Sequence, residues 1–445
     1  MTPSLEAPVG ANLQWLERSR AAVWHPCTQM KAHESLPIVP IARGEGAWLH
    51  DFDGNRYLDA VSSWWVNLFG HANPRINAAL VSQLSALEHV ILAGFTQQPV
   101  VELSERLAAL APGDLGHAFY GSDGASAVEI ALKMSFHYWK NRGRADKRTF
   151  ASLANSYHGE TLGALSVTDV PLFRDTYAAL LRANRTVPSP DWRLAKDGET
   201  PRDVAERAAS ALESHLEQHH ATTAALIVEP LVQGATGMAM HDAHYLRRAS
   251  ELCTRYDVHL IADEIMTGFG RTGTFLACEQ AGIVPDFLLL SKGLTGGYLP
   301  LACVLSREAI FAAFYDDDVT RGFLHSHSHT GNALACRAAL AVLDIFRDDD
   351  VIARNRDKAA RFQAIATHIA SHPKVEGFRR TGMIWAFEMR TDRRTFARWC
   401  FAEGLKREIL LRPIGTTVYF MPPYVVTDDE FALLVDATMS ILADA

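Results

Sequence analysis

Three short apolar runs constrain the fold of this 445-residue chain more than any other feature. They are Ala224–Val228, Val258–Ala262 and Phe287–Leu290, and the helix-length segment His244–Tyr256 lies between the first two. Near-continuous hydrophobicity over four or five residues is typical of strands in a parallel sheet that is covered on both faces. Strands that alternate with helices at this spacing indicate βαβ units. The sequence therefore predicts a doubly wound α/β domain with a mostly parallel sheet.

Each of these runs ends in polar or charged residues. Glu229 follows the first run, Asp263 and Glu264 follow the second, and Ser291 and Lys292 follow the third. Ligands of open α/β sheets bind outside the carboxyl ends of the strands. We therefore expect the chemistry of this protein near Asp263 and Lys292.

The pattern changes after about residue 335. Helical segments follow one another there, and alternating stretches come next at Gly382–Met389 and Val418–Met421. This order favours a second, α+β domain. We predict a large domain over residues 66–335 and a smaller α+β domain that combines residues 1–65 with residues 336–445.

Charge and cysteine usage exclude several classes of protein. A formal net charge of −8 argues against a nucleic-acid-binding surface. Met1–Gly10 lacks the basic start and apolar core of a secretory signal, and no apolar run approaches the ~20 residues that a membrane helix requires. The cysteines form no Cys-x-x-Cys pair, which argues against a zinc or disulfide framework and favours a reduced compartment. They are Cys27, Cys253, Cys278, Cys303, Cys336 and Cys400. The sequence predicts a cytoplasmic protein with neither a membrane nor a nucleic acid as partner.

A small-residue loop, Gly121–Ser126, stands directly before the helical run Ala127–Trp139. Such a loop exposes backbone N–H groups, and the helix dipole adds positive potential, so the loop can hold a phosphate. An ordinary helix N-cap explains the same residues equally well.

Two further residues have side chains suited to a planar heterocycle. Tyr157 follows the apolar patch Phe150–Leu153 and could lie flat on a ring, although a half-buried turn tyrosine is the simpler explanation. Asp263 ends a buried strand, where an unpaired carboxylate is costly. A protonated pyridine nitrogen is an apt partner for it. A cap for the segment that follows is the alternative.

Lys292 comes straight after a buried strand and before Gly293. Burial lowers the pKa of a lysine and leaves its amine free to form a Schiff base with an aldehyde. A strand-end lysine that reaches towards solvent is the alternative. A phosphate loop, an aromatic residue, a strand-end Asp and a strand-end Lys, in that order, indicate a pyridoxal phosphate site.

The residues from Leu260 to Gly297 resemble the signature of the class III aminotransferases, which have the fold type I architecture of pyridoxal phosphate enzymes. Within that family the chain is most similar to the biotin-pathway branch, and the resemblance runs from about residue 20 to 435. The stretches that carry it are Trp24–Pro26, Ser62–Trp65, Tyr157–Gly159, Phe323–His325, Arg412-Pro413 and Met421–Tyr424. The resemblance implies transamination of 8-amino-7-oxononanoate to 7,8-diaminononanoate, with S-adenosylmethionine as the amino donor.

The resemblance also implies a role for individual residues. Lys292 would be the catalytic residue and Arg412 would bind the carboxylate of the oxo acid. The implied cofactor-binding residues are Gly124, Ala125, Tyr157, Asp263, Lys292, His327 and Ser328. The implied substrate-binding residues are Cys27, Trp64, Tyr157, Lys292, Ser326 and Arg412. Ser326, His327 and Ser328 match a loop that serves the site of a neighbouring subunit, so the resemblance implies a homodimer with shared sites.

Two positions depart from the family pattern. Cys27 stands where an aromatic residue usually touches the substrate, and Ala125 stands where a hydroxyl residue is common. The first departure leaves open another ω-aminotransferase that acts on a diamine or an ω-amino acid.

Two further alternatives start from other features. The run His325–His329 would have three histidines on one face if extended, as in metal sites, but a loop near phosphate explains it better. A cofactor-binding regulator without catalysis is the remaining alternative, and the acidic charge together with the missing DNA-reading module weighs against it.

Overall fold

The computed structural model describes residues 10–36 and 38–445, so the prediction for Met1–Gly10 falls, except for Gly10, outside the described residues. The described strands are β1 (Ile41–Glu45), β2 (Trp48–Asp51), β3 (Arg56–Asp59), β4 (His117–Gly121), β5 (Thr149–Leu153), β6 (Arg185–Val187), β7 (Thr223–Val228), β8 (Val232–Gln233), β9 (Ala239–Met240), β10 (His259–Asp263), β11 (Phe287–Leu290), β12 (Ala302–Ser306), β13 (Val375–Thr381), β14 (Ile384–Met389), β15 (Ile409–Leu410) and β16 (Thr417–Phe420). The described helices are α1 (Ala11–Ala22), α2 (Ser62–Trp65), α3 (Pro74–Leu84), α4 (Gln98–Leu110), α5 (Gly124–Asn141), α6 (Leu162–Ser166), α7 (Pro171–Arg174), α8 (Pro201–His219), α9 (Ala243–Arg255), α10 (Glu308–Ala312), α11 (Ala333–Asp348), α12 (Val351–Ala370), α13 (Phe396–Leu405) and α14 (Asp428–Asp444). Each of these helices is too short or too polar to span a bilayer.

Seven strands form the large sheet, in the order β4-β12-β11-β10-β7-β5-β6. In this sheet the neighbouring strands β6, β5, β7, β10 and β11 pair in parallel. Strand β12 runs antiparallel to both β11 and β4. Every residue of β7, β10 and β11 is buried, which explains why their sequences do not alternate. The predicted α/β fold with a mostly parallel sheet is confirmed.

The carboxyl ends of strands β10 and β11 determine where the polar residues lie. Strand β11 has the predicted bounds. Strand β10 begins and ends one residue later than the predicted run, so Asp263 is its last residue. Helix α9 connects β9 to β10 in the place where the sequence predicts a helix. Asp263 and Lys292 therefore stand at the carboxyl ends of neighbouring parallel strands.

Helix α5 covers one face of this sheet. The side chain of Asp123 caps the helix by accepting a hydrogen bond from Ser126 N at 2.8 Å. The buried residues Ile130 and Ala131 belong to the same core as Ile261 of β10 and Phe287 of β11. Packing against the sheet fixes the N-terminus of α5 in the large unit, where the phosphate loop was predicted.

The chain divides into two compact units. The small unit contains Met1–Pro74, Asp357–Phe378 and Trp385–Ala445, and the large unit contains Arg75–Arg356 and Arg379–Ile384. The first change of unit therefore comes after Pro74 rather than after residue 65, and the second after Arg356 rather than after residue 335. Helix α11 belongs to the large unit because it packs against α4 and against the turn that contains Lys292.

The small unit joins distant parts of the chain through a four-stranded sheet of order β1-β2-β3-β15. Strand β15 pairs in parallel with β3, with Ile409 opposite Leu58. A second sheet pairs β14 with β16 in antiparallel fashion. These pairings bring the residues near position 60 close to those near position 410.

Candidate active site

Lys292 begins a 3-10 turn, Lys292–Thr295, directly after β11 and has a φ of 45°. The Ser291 hydroxyl donates to the Leu301 carbonyl oxygen at 2.8 Å and so fixes the chain just before the lysine. Burial lowers the pKa of Lys292, and the negative charges of Asp263 and Glu229 oppose this shift. A lowered pKa increases the fraction of neutral amine, which is the form that attacks an aldehyde.

Asp263 is paired with a histidine that the sequence analysis did not assign to the site. The Oδ2 atom of Asp263 lies 2.6 Å from Nδ1 of His158, and both side chains are buried. Because an ionised carboxylate only accepts, the ring N–H of His158 donates in this bond. The Oδ1 atom accepts from Ile265 N at 3.2 Å. Asp263 is therefore held as an oriented carboxylate, and His158 is the residue that orients it.

Glu229 is a second buried carboxylate in the same region. Its Oε2 atom accepts from Tyr157 N at 3.0 Å, and its Oε1 atom accepts from Gly234 N at 2.9 Å. The pKa of Glu229 is raised to about 7, mainly by burial; His158 lowers it and Asp263 adds to the increase. The sequence showed Glu229 at a strand end, and that position was the only signal for its role.

Tyr157 lies beside this group of acids and is half-buried. Its hydroxyl donates to Glu160 Oε1 at 2.9 Å, and its ring meets Phe173 edge-on at 5.5 Å. The bond from its backbone N–H to Glu229 ties it to the end of β7. Tyr157 and His158 are thus held next to each other and near Asp263, whereas stacking of Tyr157 on a ring remains a prediction.

The N-terminus of α5 has the backbone that an anion site requires. Gly124 and Ala125 are its first two residues, and the leading N–H groups of a helix have no partner within the helix. A Cβ atom on Gly124 would lie 3.0 Å from Ile265, and one on Gly159, where φ is 123°, would lie 2.6 Å from the Ala125 Cβ. Glycine at both positions therefore permits the close packing around this helix end.

The loop of residues 325–329 reaches the same helix end within one chain. Nδ1 of His327 lies 3.0 Å from the Ser122 hydroxyl, and Nε2 of His327 lies 3.3 Å from Nε2 of His325. Ser326 and Ser328 are exposed. His327 thus contacts the predicted phosphate loop of its own chain, which the resemblance to the family did not anticipate.

His325 and His329 each contact a residue from another segment of the chain. Nδ1 of His325 lies 2.8 Å from Nζ of Lys133. The ring of His329 lies 5.0 Å from that of His89. The three histidines therefore do not converge on one face.

Cys27, Trp64 and Arg412 lie together in the small unit. They line a pocket of about 520 Å³, which we call the small-unit pocket. The guanidinium carbon of Arg412 lies 4.6 Å from the centre of the Trp64 ring. Cys27 is exposed and has a φ of 53°. The structure thus brings together three predicted substrate residues that are far apart in the sequence.

The backbone around Trp64 is strained. The residues of α2 (Ser62–Trp65) have φ values of 51°, 47°, 71° and 73°, which belong to the left-handed region and cost roughly 1–2 kcal/mol per residue. Asp59 stabilises this turn by accepting from the Ser63 N–H at 2.9 Å and from the Ser63 hydroxyl at 2.7 Å. Strain of this kind persists only where the surroundings enforce it, and it clusters at functional sites. Here the turn leaves the Trp64 side chain 42% exposed.

The residues of the large unit fit pyridoxal phosphate. Lys292 offers an amine of lowered pKa, and Asp263 offers a buried carboxylate that suits a protonated ring nitrogen. The backbone N–H groups of Gly124 and Ala125 at the start of α5 suit the phosphate. Together these residues provide a partner for the aldehyde, the ring nitrogen and the phosphate of the cofactor.

Known proteins agree with this chemistry. The class-III aminotransferase family model matches residues 29–442. An adenosylmethionine-8-amino-7-oxononanoate aminotransferase of Helicobacter pylori is 46% identical over 94% of this chain and 95% of its own length. The enzyme of that name from Geobacter sulfurreducens is 39% identical over 94% of both chains.

Solved structures are similar over almost the whole chain. The aminotransferase of the same name from Methanocaldococcus jannaschii matches with a TM-score of 0.91 and 33% identity, and the match covers 97% of this chain and 99% of that one. An omega transaminase from Pseudomonas jessenii, solved in complex with PMP, matches with a TM-score of 0.92 and 28% identity over 96% of this chain and 97% of that one. The chain therefore belongs to the class III aminotransferases, which depend on pyridoxal phosphate.

Proposed function

We propose that this chain transfers an amino group to 8-amino-7-oxononanoate and so makes 7,8-diaminononanoate for biotin synthesis, with S-adenosylmethionine as the amino donor. The observation that carries this proposal is the small-unit pocket, where Arg412 lies on the face of Trp64 beside apolar walls. A long-chain oxo acid needs an apolar channel and a cation for its carboxylate. The names of the full-length relatives support the same substrate.

Lys292 is the catalytic residue of this proposal. When bound, pyridoxal phosphate supplies an aldehyde and an electron-withdrawing ring. Lys292 would hold the cofactor through Nζ, and the same Nζ, once released, would accept the proton of the substrate carbon and return it. Its lowered pKa increases the fraction of neutral Nζ, which is the form that takes up that proton.

Asp263 and His158 act together at the ring nitrogen. The carboxylate of Asp263 holds a proton on that nitrogen, and His158 keeps the carboxylate in place through the 2.6 Å bond between Nδ1 and Oδ2. Glu229 positions Tyr157 through the backbone N–H of that residue. Tyr157 in turn flanks the ring and reaches the substrate.

The phosphate belongs at the N-terminus of α5. Gly124 and Ala125 offer backbone N–H groups there, and His327 is linked to the same loop through Ser122. Ser328 and Ser326 contact the phosphate and the substrate in the site of a neighbouring subunit. The protein therefore works as a homodimer with shared sites. The exposure of both serines is compatible with such a contact.

The substrate residues and the compartment complete the proposal. Trp64 lines the channel, Cys27 replaces an aromatic contact, and Arg412 binds the acceptor carboxylate as a bidentate fork. The cytoplasm is the compartment in which we place the enzyme, because the six cysteines, all of them described, form no disulfide, which suits a reducing environment.

A donor screen tests this function. The purified enzyme, loaded with pyridoxal phosphate, is given 8-amino-7-oxononanoate together with S-adenosylmethionine or lysine, and the diamine product is measured by mass spectrometry. We expect product with S-adenosylmethionine and none from Lys292→Ala, whereas Lys196→Ala, which changes an exposed lysine of the same unit, keeps full activity. Absence of product with every donor would refute the proposed substrate.

Cys27 supports a second candidate, an ω-aminotransferase that acts on a diamine or an ω-amino acid. A thiol cannot stack on a substrate as an aromatic ring does, and solved omega transaminases share the fold closely. Diamines and ω-amino acids are therefore included in the same panel as donors. Faster turnover with one of them, and with a simple oxo acid as acceptor, would favour this candidate.

A further inference from the structure

The small-unit pocket contains a second arginine that the proposed function does not use. Arg398 lies on α13 and lines the pocket together with Arg412. Both side chains are exposed, and neither pairs with a carboxylate among the residues that the structure describes. Two other arginines of the same unit do form such pairs, since Arg390 and Arg407 each lie 2.6 Å from a glutamate. Within the described part of the chain, the pocket therefore has two guanidinium groups and no carboxylate paired with either.

The rest of the lining determines what kind of anion the pocket accepts. No described lining residue is an aspartate or a glutamate, and Arg398 and Arg412 give the lining itself a positive charge. Much of the wall is aliphatic or aromatic, with Leu36, Ile38, Leu49, Phe401 and Leu405 among its residues. Its volume of about 520 Å³ lies within the range of ~300–1,000 Å³ that is usual for small-molecule sites. Apolar walls beside unpaired cations suit an amphiphilic anion.

The two arginines differ in how firmly they are held. Arg412 lies 4.6 Å above the ring of Trp64, and the left-handed turn that contains Trp64 is fixed by Asp59. No such ring contact is found for Arg398 among the described residues, and its side chain is exposed. An arginine of this kind adds attraction for a carboxylate without fixing its position.

We infer that the small-unit pocket binds medium-chain aliphatic carboxylic acids, and that Arg398 is a specificity-determining residue that recognises the carboxylate alongside Arg412. This inference rests on the proposed function, because it assigns a second cation to the site of the acceptor acid. It extends that function by making chain length and charge the two properties that the pocket selects.

Calorimetric titration of the holoenzyme with hexanoate, heptanoate, octanoate and nonanoate tests the inference. These acids carry neither an amine nor a ketone, so they bind without reacting. We expect the affinity to rise about fourfold per methylene, which corresponds to burial of one CH₂ group. Nonan-1-ol should bind more weakly than nonanoate. Affinities that do not change with chain length, or equal binding of the acid and the alcohol, would overturn the inference.

Arg398→Gln tests the second cation. At low salt we expect nonanoate to bind about 3- to 5-fold more weakly to this variant, as for an exposed ion pair, with nonan-1-ol unaffected. Arg394→Gln is the matched control, because Arg394 is exposed on the same segment and does not line the pocket. Equal loss in both variants would mean that only the general positive field matters, and the role of Arg398 would be wrong.

Failure of this inference can be told apart from failure of the proposed function. Binding of nonanoate that depends on Arg398, in an enzyme that does not aminate 8-amino-7-oxononanoate, would refute the proposed substrate and support the pocket. Amination that proceeds with an unchanged KM for the acceptor in Arg398→Gln would support the substrate and refute the role of Arg398.

Discussion

Replacement of Glu229 by glutamine should change both the stability of the protein and the behaviour of Lys292. The pKa of Glu229 is raised from 4.5 to about 7, mainly by burial. Between these pH values the folded protein holds a proton that the unfolded chain has released. The free energy of unfolding therefore falls as the pH rises through this window, and the full loss is reached above about pH 7.

The size of this effect follows from the two pKa values. Their difference, 7 minus 4.5, is ~2.5, which at about 1.36 kcal/mol per pKa unit amounts to roughly 3 kcal/mol. Glutamine does not titrate, so Glu229→Gln lacks this pH dependence. Its amide accepts from only one of the two N–H groups that bond to the carboxylate, which lowers stability by a constant ~1–3 kcal/mol. The constant part cancels when the same two proteins are compared at different pH values.

Urea unfolding of the cofactor-free proteins between pH 4.5 and 8 measures the change. We expect the free energy of unfolding of Glu229→Gln, relative to the unmodified protein, to increase by roughly 3 kcal/mol from the lowest to the highest pH. A relative stability that stays constant over this range would refute the reasoning, because Glu229 would then have the same pKa in both states.

Glu264→Gln is the matched control for the effect on Lys292. Glu264 is equally buried, its pKa is also raised to about 7, and it also accepts from two backbone N–H groups. Both variants should therefore show the pH-dependent gain in stability. Of these two glutamates, Glu229 raises the pKa of Lys292, whereas Glu264 does not contribute to its shift. Glu229→Gln alone should lower the pH at which the cofactor-free protein takes up pyridoxal phosphate at half its maximal rate, as followed by absorbance.

Three further substitutions have expected outcomes. Asp263→Asn should lower kcat at least ~10-fold, because a neutral amide cannot hold the ring-nitrogen proton, and steady-state kinetics at saturating substrate measure this loss. Arg412→Gln should raise the KM for the acceptor acid roughly 10-fold with kcat nearly unchanged. Arg56 is an exposed arginine of the same unit that lies over the ring of Trp48, and Arg56→Gln should leave both constants unchanged. Gly159→Ala should destabilise the protein by ~1–3 kcal/mol in urea unfolding, since φ is 123° and the new Cβ would meet Ala125 at 2.6 Å.

Local patterns in the sequence predicted three of the seven strands of the large sheet, β7, β10 and β11. The run Phe287–Leu290 has the bounds of β11, and the helical segments predicted after about residue 335 correspond to α11 and α12. Strand and helix periodicity are properties of neighbouring residues, so they can be seen without the fold. The positions of Asp263 and Lys292 at strand ends follow from the same patterns.

The division into two units was less well predicted. Helix α11 follows the large sheet in sequence, and its apolar residues gave no sign of which unit they would cover. It belongs to the large unit because it packs against α4 and against the turn at Lys292. Such packing depends on the surface that the other elements present, and a hydrophobic pattern does not specify its partner.

The sequence by itself determined the fold class, the order of the strands along the chain and the strand-end positions of a carboxylate and a lysine, because each of these is encoded in a few adjacent residues. Only the tertiary structure decided which groups meet. His158 reaches Asp263 across 105 positions of the chain, and Glu229 reaches Tyr157 across 72. The small-unit pocket joins Cys27 and Trp64 to Arg398 and Arg412. These contacts arise when separate segments pack together, and no local pattern records the direction in which a side chain will then point.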